Sequence, residues 1–311
     1  MVIDLVAFGI IIDDIVFADG HTAMGMLGGG GPQTAFGMRL PALAGWMTIP
    51  YGVGLVSGVG ADLPHAARAW LDATGIDLTG LRTTPFPTAR AWQVCESDGR
   101  RRQLERVSGE VLGAQLARTL DHLPDAYRVA RGFHMGIHPD EPDLEWLAQL
   151  RRTGSALPPV ISLEPFKPAD RPPTDAALRA LCRAADIFSP NLEEAQSLVG
   201  DAPPEELIRR LAQAGAPIVA LRLGPEGSLV HEDNVLVHIP AAPAQVVDPT
   251  GAGNAYCGAF LAGYLQTGHI RRAGLYGAVA ASFLTEQAGL PLITSELPRE
   301  ANRRLHVLDQ S

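Results

Sequence analysis

The pattern of apolar and polar positions alternates between strand-like and helix-like runs almost to the end of the chain. Residues 2–12 form a nearly continuous apolar run, which predicts a strand covered on both faces. Helical spacing recurs in residues 35–43, 65–74, 112–122, 144–151, 175–184, 192–199, 204–214, 251–265 and 272–287, with short apolar strands between several of them. This alternation predicts a parallel sheet with helices on both faces.

Two hairpin-like regions interrupt this alternation. Residues 89–96 and 101–107 favour paired strands around a turn at 97–100, and residues 227–238 favour a second hairpin. No long polar linker or repeat divides the chain. We therefore predict one domain over residues 1–311, an α/β protein built as a three-layer α/β/α sandwich with a mostly parallel central sheet. A small β lid is expected from residues 15–27 and 89–107.

Composition and charge narrow the classes of function. The chain carries 25 basic and 34 acidic side chains, a net charge of −9, which argues against a nucleic-acid partner. Its three cysteines are far apart and suit a reducing cytosol. No apolar run reaches the roughly 18 residues of a membrane span. The first apolar stretch is cut by Asp4 and Asp13, so we expect a cytoplasmic protein without a signal peptide or a membrane partner.

The strongest chemical signal is Asp-Pro-Thr-Gly-Ala-Gly-Asn-Ala at residues 248–255. It follows a strand-like segment, 244–247, and opens an apolar helix. Glycines at a helix N-terminus let backbone N–H groups face a ligand, and the helix dipole favours an anion there. Such a loop suits a phosphoryl group in transit, whereas the alternative is an ordinary glycine-rich turn.

With this motif the chain resembles the ribokinase-like (PfkB-type) carbohydrate kinase family, which carries Asp-Thr-Thr-Gly-Ala-Gly-Asp-Ala-Phe at this place. Further strings match in order at residues 9–14, 28–35, 58–62, 75–77, 189–194 and 223–227. A Walker-type kinase is excluded because Gly-x-x-x-x-Gly-Lys-Ser/Thr does not occur. The resemblance implies a ribokinase-like fold and ATP-dependent phosphorylation of a hydroxyl on a sugar or nucleoside-like small molecule, with ATP and Mg²⁺ as cofactors.

The resemblance also implies four groups of site residues. The catalytic loop is Gly251, Ala252, Gly253 and Asn254; the acceptor is placed by Asp14, Gly28, Gly29 and Gln33; the nucleotide is bound by Asn191, Leu223, Gly224 and Gly227; and Mg²⁺ is held through Glu194. The resemblance further suggests a homodimer formed through the lid.

Physical arguments support two of these assignments. Asp14 ends a buried strand, where a carboxylate without a partner is costly, so the hydroxyls of a ligand would satisfy it. Asp13 is its rival, because strand alternation points the two side chains to opposite faces. Asn191 and Glu194 are three residues apart and share one face of a helical turn. Mg²⁺ keeps several waters and takes few carboxylates, which suits Glu194.

Two residues depart from the pattern of the family. The position of the catalytic Asp is Asn254, and a carboxamide does not accept a proton near neutral pH. The Asn of the glycine segment is replaced by Gln33, which is longer by one methylene. The alternative hypothesis is therefore a nucleotide- or sugar-binding member of the family with weak or no turnover.

The remaining candidates carry weaker signals. His134 and His138 are four apart, but without an evident third ligand a structural role is favoured. Cys257, just inside the helix after the glycine loop, has either a lowered thiol pKa or a packing role. Residues 52–57, Gly-Val-Gly-Leu-Val-Ser, resemble a dinucleotide fingerprint without its last glycine, which leaves an oxidoreductase as a third hypothesis.

An arginine cluster lies near the predicted hairpin turn. Its members are Arg100, Arg101, Arg102 and Arg106. Such a cluster is typical of a solvated face, and the alternative is a lid that contacts a phosphorylated substrate.

Overall fold

A large central sheet organises the computed structural model, which describes residues 2–96, 101–154 and 157–310. Within those ranges the strands are β1 (Ile3–Phe8), β2 (Ile11–Val16), β3 (Thr22–Gly28), β4 (Gly52–Val59), β5 (Leu81–Thr83), β6 (Arg90–Cys95), β7 (Arg101–Glu105), β8 (Gly132–Ile137), β9 (Val160–Pro165), β10 (Ile187–Phe188), β11 (Ile218–Arg222), β12 (Ser228–Glu232) and β13 (Val235–Ile239).

Helices cover both faces of this sheet. Over the same ranges they are α1 (Gly30–Leu43), α2 (His65–Ala73), α3 (Gly109–Leu116), α4 (Asp125–Arg128), α5 (Leu144–Arg151), α6 (Asp175–Ala184), α7 (Leu192–Val199), α8 (Pro204–Ala214), α9 (Ala252–Thr267), α10 (Ile270–Thr285) and α11 (Leu297–Asp309), with 3₁₀ turns at Leu120–His122 and Gly224–Glu226.

The central sheet has nine strands in the order β13-β12-β11-β10-β9-β8-β1-β4-β5. All neighbours from β11 to β5 pair in parallel, and the β11–β12 and β12–β13 pairs are antiparallel. Val6 and Ala7 are both fully buried but belong to different apolar clusters, because successive side chains of β1 point to opposite faces. The predicted three-layer sandwich with a mostly parallel sheet is therefore confirmed.

A second sheet of four strands forms the lid, in the order β3-β2-β6-β7. β2 pairs antiparallel with β3 and parallel with β6, and β6 pairs antiparallel with β7. The lid sheet begins at Ile11, whereas the sequence pattern placed its first segment at residues 15–27. The turn predicted at 97–100 lies outside the described residues.

Glycines bring α1 and α9 into close contact beneath the lid. A Cβ on Gly37 would overlap the backbone oxygen of Ala255, and a Cβ on Gly258 would overlap that of Thr34. Since no larger residue permits this approach, the two glycines fix how the N-termini of α1 and α9 face each other.

Several local predictions differ from the structure. The apolar run 2–12 is two strands, because the chain turns at Gly9, whose φ is +89°. The strand expected at 244–247 is absent from the described structure, and Val246 and Val247 there are 67% and 60% exposed. Residues 52–57 lie inside the buried strand β4 rather than in a phosphate-binding turn, which removes the oxidoreductase hypothesis.

Within the described part of the chain, no helix combines the length and apolar character needed to cross a membrane.

Candidate active site

The glycine-rich loop leads directly into α9. Gly251 is the N-cap residue and has φ +82°, a left-handed conformation that glycine adopts without strain. Before it, Asp248 Oδ1 accepts hydrogen bonds from the backbone N–H of Thr250 (2.9 Å) and from its hydroxyl (2.6 Å). The N–H groups of the first turn of α9 are thereby held in a fixed direction, which suits an anion.

Asn254 and Gln33 join the N-termini of two helices. Asn254 Nδ2, in the first turn of α9, donates to Gln33 Oε1 of α1 at 2.6 Å. The Gln33 side chain is 4% exposed, and a Cβ on Gly251 would overlap its amide group. A Cβ on Gly30 would lie 3.7 Å from Asn254 Oδ1. The structure thus brings together the glycine segment 28–31, Gln33 and the catalytic-loop candidates.

One guanidinium and two carboxylates meet at the carboxyl edge of the central sheet. Arg222, the last residue of β11, places Nη2 at 3.0 Å from Glu164 Oε2 of β9 and at 3.3 Å from Glu194 Oε2 of α7. Nη2 and Nε also donate to the backbone oxygen of Ser189, at 2.8 and 3.2 Å. A Cβ on Gly253 would overlap Arg222 Nη1, so this ion-paired cluster borders the glycine-rich loop.

The pKa values of the three groups respond to burial and to one another. Burial raises the pKa of Glu194 to about 7, although Arg222 partly offsets the effect. Burial acts in the same direction on Glu164, but Arg222 and His134 outweigh it and hold the pKa of Glu164 below its usual value. Burial alone would lower the pKa of Arg222, yet its carboxylate partners raise it, so the guanidinium stays charged.

Glu194 also forms a capping box at the start of α7. Its Oε2 accepts from the backbone N–H of Asn191 (2.7 Å), its Oε1 accepts from Asn191 Nδ2 (2.8 Å), and Asn191 Oδ1 accepts from the backbone N–H of Glu194 (2.8 Å). Each carboxylate oxygen has two lone pairs, so Oε1 retains one for a water. The donor set therefore fits a hydrated Mg²⁺ held through water rather than a directly bound ion.

The other nucleotide candidates form a tight turn after β11. The backbone N–H of Leu223 donates to the oxygen of Gly227 at 2.8 Å, and Gly224 and Gly227 have φ of +60° and +87°. Gly224 is exposed, and a Cβ there would meet nothing within 4 Å. This turn follows Arg222 directly along the chain, so it begins next to the ion-paired cluster.

Asp14 and Asp13 lie on opposite faces of the lid. Asp14 is fully buried; its Oδ1 accepts from the backbone N–H of Gly25 (2.7 Å), and its Oδ2 is ion-paired with Arg106. The Arg106 guanidinium lies over the ring of Trp92, 4.5 Å from its centroid. The Arg106 side chain is nonetheless 35% exposed, so it pairs with Asp14 from the solvent-accessible surface of the lid.

The face of Asp13 is continuous with the glycine segment. Asp13 Oδ1 accepts from Gln93 Nε2 at 2.8 Å, and a Cβ on Gly28 would overlap the Asp13 carboxylate. Gln93 Nε2 also donates to Gln103 Oε1 at 3.0 Å. Gln93 Oε1 is buried and has no hydrogen-bond partner among the residues that the structure describes. Asp13 fixes the orientation of the Gln93 amide, so that this oxygen faces away from the carboxylate.

The weaker sequence candidates have structural partners. His134 is 2% exposed and lies 2.9 Å from Ser162 Oγ and 3.3 Å from Glu164 Oε1. His138 lies 3.7 Å from Asp140, in a separate cluster. Burial raises the pKa of Cys257, so the hypothesis of a lowered thiol pKa is wrong and the side chain belongs to the core.

Sequence reasoning missed Arg222 and its link to Glu164. A charged residue at the end of the buried strand 218–222 was the available signal, because burial of an arginine requires partners. The partners lie 58 and 28 residues away along the chain, at positions 164 and 194, and no local pattern connects them.

Comparisons with known proteins show similarity to one family of kinases. A family model described as pfkB family carbohydrate kinase matches residues 44–295. The cytidine kinase of Thermococcus kodakarensis is 31% identical over 270 residues, which cover 84% of this chain and 88% of the relative. The nucleoside kinase of Methanothermobacter thermautotrophicus is 27% identical over 238 residues, 76% of this chain and 73% of the relative.

A solved structure shares the fold. Fructokinase from Vibrio cholerae O395, in its fructose, ADP and calcium ion bound form, superposes with a TM-score of 0.75 at 19% identity, covering 98% of this chain and 99% of that chain.

A helix N-terminus at the carboxyl edge of a parallel sheet is an arrangement that suits the binding of an anionic ligand such as a phosphate. The chain belongs to the pfkB family of carbohydrate kinases. The predicted class of activity, ATP-dependent phosphorylation of a sugar or nucleoside, is thereby confirmed. The acceptor candidates Asp14, Gly28, Gly29 and Gln33 precede the matched range, so their roles rest on geometry.

Proposed function

We propose that the protein phosphorylates a hydroxyl group of a nucleoside, with ATP as the donor. The observation that carries this proposal is the meeting of two helix N-termini, those of α1 and α9, across the hydrogen bond between Asn254 and Gln33. The positive ends of both helix dipoles therefore face the same place, where a phosphoryl group and an acceptor hydroxyl would meet. The names of the cytidine kinase and nucleoside kinase relatives support the nucleoside class.

On this proposal the nucleotide occupies the carboxyl edge of the central sheet. The turn at Leu223, Gly224 and Gly227 would border its base and ribose, because open space lies beside Gly224. Its terminal phosphoryl group would face residues 251–254. Asn191 and Glu194 would hold a hydrated Mg²⁺, which supplies positive charge that neutralises the phosphates.

The acceptor would lie between the lid and the glycine segment. Gly28 and Gly29 permit close approach, and Gln33 reaches the catalytic loop. Asp14 would bind acceptor hydroxyls after exchanging its ion pair with Arg106 for them. The buried oxygen of Gln93 offers a further hydrogen-bond acceptor for an N–H or O–H group of the substrate.

In the transfer step, a P–O bond to the acceptor oxygen forms while the bond between the γ-phosphorus and the ADP oxygen breaks. The proton of the hydroxyl must pass to a phosphate oxygen or to water, because the carboxamide of Asn254 does not take it. Asn254 Nδ2 can instead donate a hydrogen bond to the transferred group or to the acceptor. The pairing of Asn254 with Gln33 also favours the second candidate function, a binding member of the family with weak turnover.

Two finer expectations belong to the same proposal. A cytoplasmic location is supported by the buried thiols of Cys182 and Cys257, which are not joined in a disulfide. A homodimer through the lid is supported by two exposed apolar side chains there, Met24 at 52% and Leu104 at 53%. Light scattering of the purified protein, compared with a Met24→Glu, Leu104→Glu variant, tests the dimer.

The proposed function is tested by measuring ADP release with a panel of nucleosides and of free sugars, alongside calorimetric binding of each compound. Phosphorylation of at least one nucleoside in preference to every sugar is expected. Binding of nucleosides without ADP release would support the weak binder instead, and preference for a sugar would contradict the nucleoside assignment.

Variants of the two lid carboxylates test the acceptor site. Asp14→Asn should weaken acceptor binding about tenfold or more and leave ATP affinity nearly intact, since charge-assisted hydrogen bonds would be lost. Asp13→Asn is the competing variant, because Asp13 is one residue away on the face of β2 that is continuous with Gly28. If only Asp13→Asn weakens acceptor binding, Asp13 rather than Asp14 binds the hydroxyls of the acceptor.

A further inference from the structure

Arg222 brings a fixed positive charge to the edge of the glycine-rich loop. Its Nε and Nη2 are occupied by the backbone oxygen of Ser189 and by the carboxylates of Glu164 and Glu194. No hydrogen bond from Nη1 occurs within residues 2–96, 101–154 and 157–310. That nitrogen lies against Gly253, at a side chain that is 14% exposed.

We propose that Arg222 is a phosphate-binding residue of this kinase, and that its Nη1 donates a hydrogen bond to the terminal phosphoryl group of ATP. This role rests on the proposed function, because the residues 251–254 beside it are where that group would lie. A guanidinium held on two of its nitrogens does not reorganise when charge develops on the phosphoryl oxygens. Arginine also remains charged at all relevant pH values and forms strong hydrogen bonds to phosphate.

The glycine at position 253 allows Arg222 to approach the loop this closely. A Cβ at residue 253 would occupy the position of Nη1, so only glycine lets the guanidinium reach the first turn of α9. A purely structural arginine would be satisfied by Glu164, Glu194 and Ser189 through Nε and Nη2 alone. The remaining N–H groups, on Nη1, are a donor without another use among the described residues, next to an anion-binding helix start.

The test compares ligands that differ only in their phosphates. Arg222→Met should raise the dissociation constant of the non-hydrolysable ATP analogue AMP-PNP about tenfold or more, as expected for a charge-assisted hydrogen bond, and change that of ADP, which lacks the terminal phosphoryl group, less than twofold. Arg222→Lys should restore part of the affinity for AMP-PNP, since it retains the charge. Equal weakening of AMP-PNP binding and ADP binding, or no weakening of either, would overturn the proposal.

Two further variants separate an effect of Arg222 on phosphate binding from an effect on the stability of the fold. Arg222→Met leaves Glu164 and Glu194 without their cation, so an Arg222→Met, Glu164→Gln double variant repeats the comparison with one buried charge fewer. Arg151→Met is the matched control. Arg151 also pairs with a carboxylate, that of Asp186 at 3.1 Å, but this pair lies at the amino-terminal edge of the central sheet. The Arg151→Met change should lower stability and leave the affinity ratio of AMP-PNP to ADP unchanged.

Binding of AMP-PNP also distinguishes a failure of this proposal from a failure of the proposed function. Wild-type protein that binds AMP-PNP tightly but phosphorylates no nucleoside contradicts the function, while the effect of Arg222→Met on binding still decides the role of Arg222. Wild-type protein that does not bind AMP-PNP overturns both.

Discussion

At the scale of single residues, the unusual feature of the site is a pair of carboxamides where two helix N-termini meet. Asn254 and Gln33 satisfy each other through one hydrogen bond of 2.6 Å. This contact positions both side chains, but neither takes up a proton. Chemistry at the site therefore depends on positioning and on positive charge, unless a carboxylate is restored.

Restoring that carboxylate with Asn254→Asp should raise phosphoryl transfer about 10²-fold, the usual contribution of a positioned general base. The two side chains have nearly the same size, and the N–H groups of α9 keep the new carboxylate ionised. The amide of Gln33 can turn so that it donates where it now accepts. The measurement is the initial rate of ADP release with a confirmed acceptor, and with water alone as basal hydrolysis.

Asn254→Ala is the control for this prediction, since it removes the hydrogen bond to Gln33 without adding a base. It should show no gain in rate. If Asn254→Asp binds ATP and acceptor normally and still transfers no faster than the wild type, residue 254 is not a vacant base position.

At the scale of elements, the contact between α1 and α9 holds the site together. Gly258→Ala should lower the free energy of unfolding by about 1–3 kcal/mol, because the new Cβ overlaps the backbone oxygen of Thr34 and pushes the helices apart. The same displacement should weaken AMP-PNP binding, since residues 33 and 254 would separate. Urea denaturation and calorimetry measure the two effects.

Gly113→Ala is the matched control in another helix. Gly113 lies within α3, and a Cβ there meets nothing within 4 Å. This change should increase stability by about 0.5–1 kcal/mol and leave binding unchanged. A Gly258→Ala protein as stable as the wild type would show that the helix contact adapts.

Periodicity located the elements that lie on one face of the sheet. The bounds of α6, α7 and α8 agree with the apolar spacing because each helix has a clear polar side. The last helix, α11, was missed because it is polar and has Pro298 in its first turn. The run 2–12 looked like one strand because apolar composition alone does not locate the break at Gly9.

The site was predictable in part for the same reason. Residues 251–254 and 191–194 are local motifs, so the sequence alone places them at helix starts. Arg222 acts through contacts with residues 164, 194 and 253, which only the packing of the sheet brings together. Asp13 and Asp14 could not be ranked from the sequence, since both are buried and differ only in the face of the lid they occupy.

At the scale of the whole molecule, ion pairs join the C-terminal helix to the body of the protein. Arg304 of α11 is 5% exposed; it pairs with Glu286 at 2.6 Å and with Glu300 at 2.7 Å, and its Nη1 donates to Ser282 Oγ of α10 at 2.8 Å. Glu286 and Ser282 hold α11 against α10 through Arg304, and Glu300, which lies in α11 itself, neutralises and orients that buried arginine.

This anchoring predicts a dependence of stability on pH. Hydrogen bonds from Arg303 and Arg304 lower the pKa of Glu300 to about 2, from 4.5 in the unfolded chain. A lowered pKa in the folded state stabilises the protein above pH 4.5, and this contribution is lost as the pH falls towards 2. Glu300→Gln should therefore reduce the free energy of unfolding by about 1 kcal/mol at pH 7, a modest value because the pair is partly exposed.

Urea denaturation between pH 2 and pH 7 measures this effect. The difference between the wild type and Glu300→Gln should be constant above about pH 5 and shrink as the pH is lowered through the range in which Glu300 becomes protonated. Glu205→Gln is the control, because Glu205 is an exposed residue of α8 for which no ion pair occurs in the described residues. A difference between wild type and Glu300→Gln that stays the same at every pH would mean that Glu300 stabilises α11 by packing and hydrogen bonding, independently of its charge.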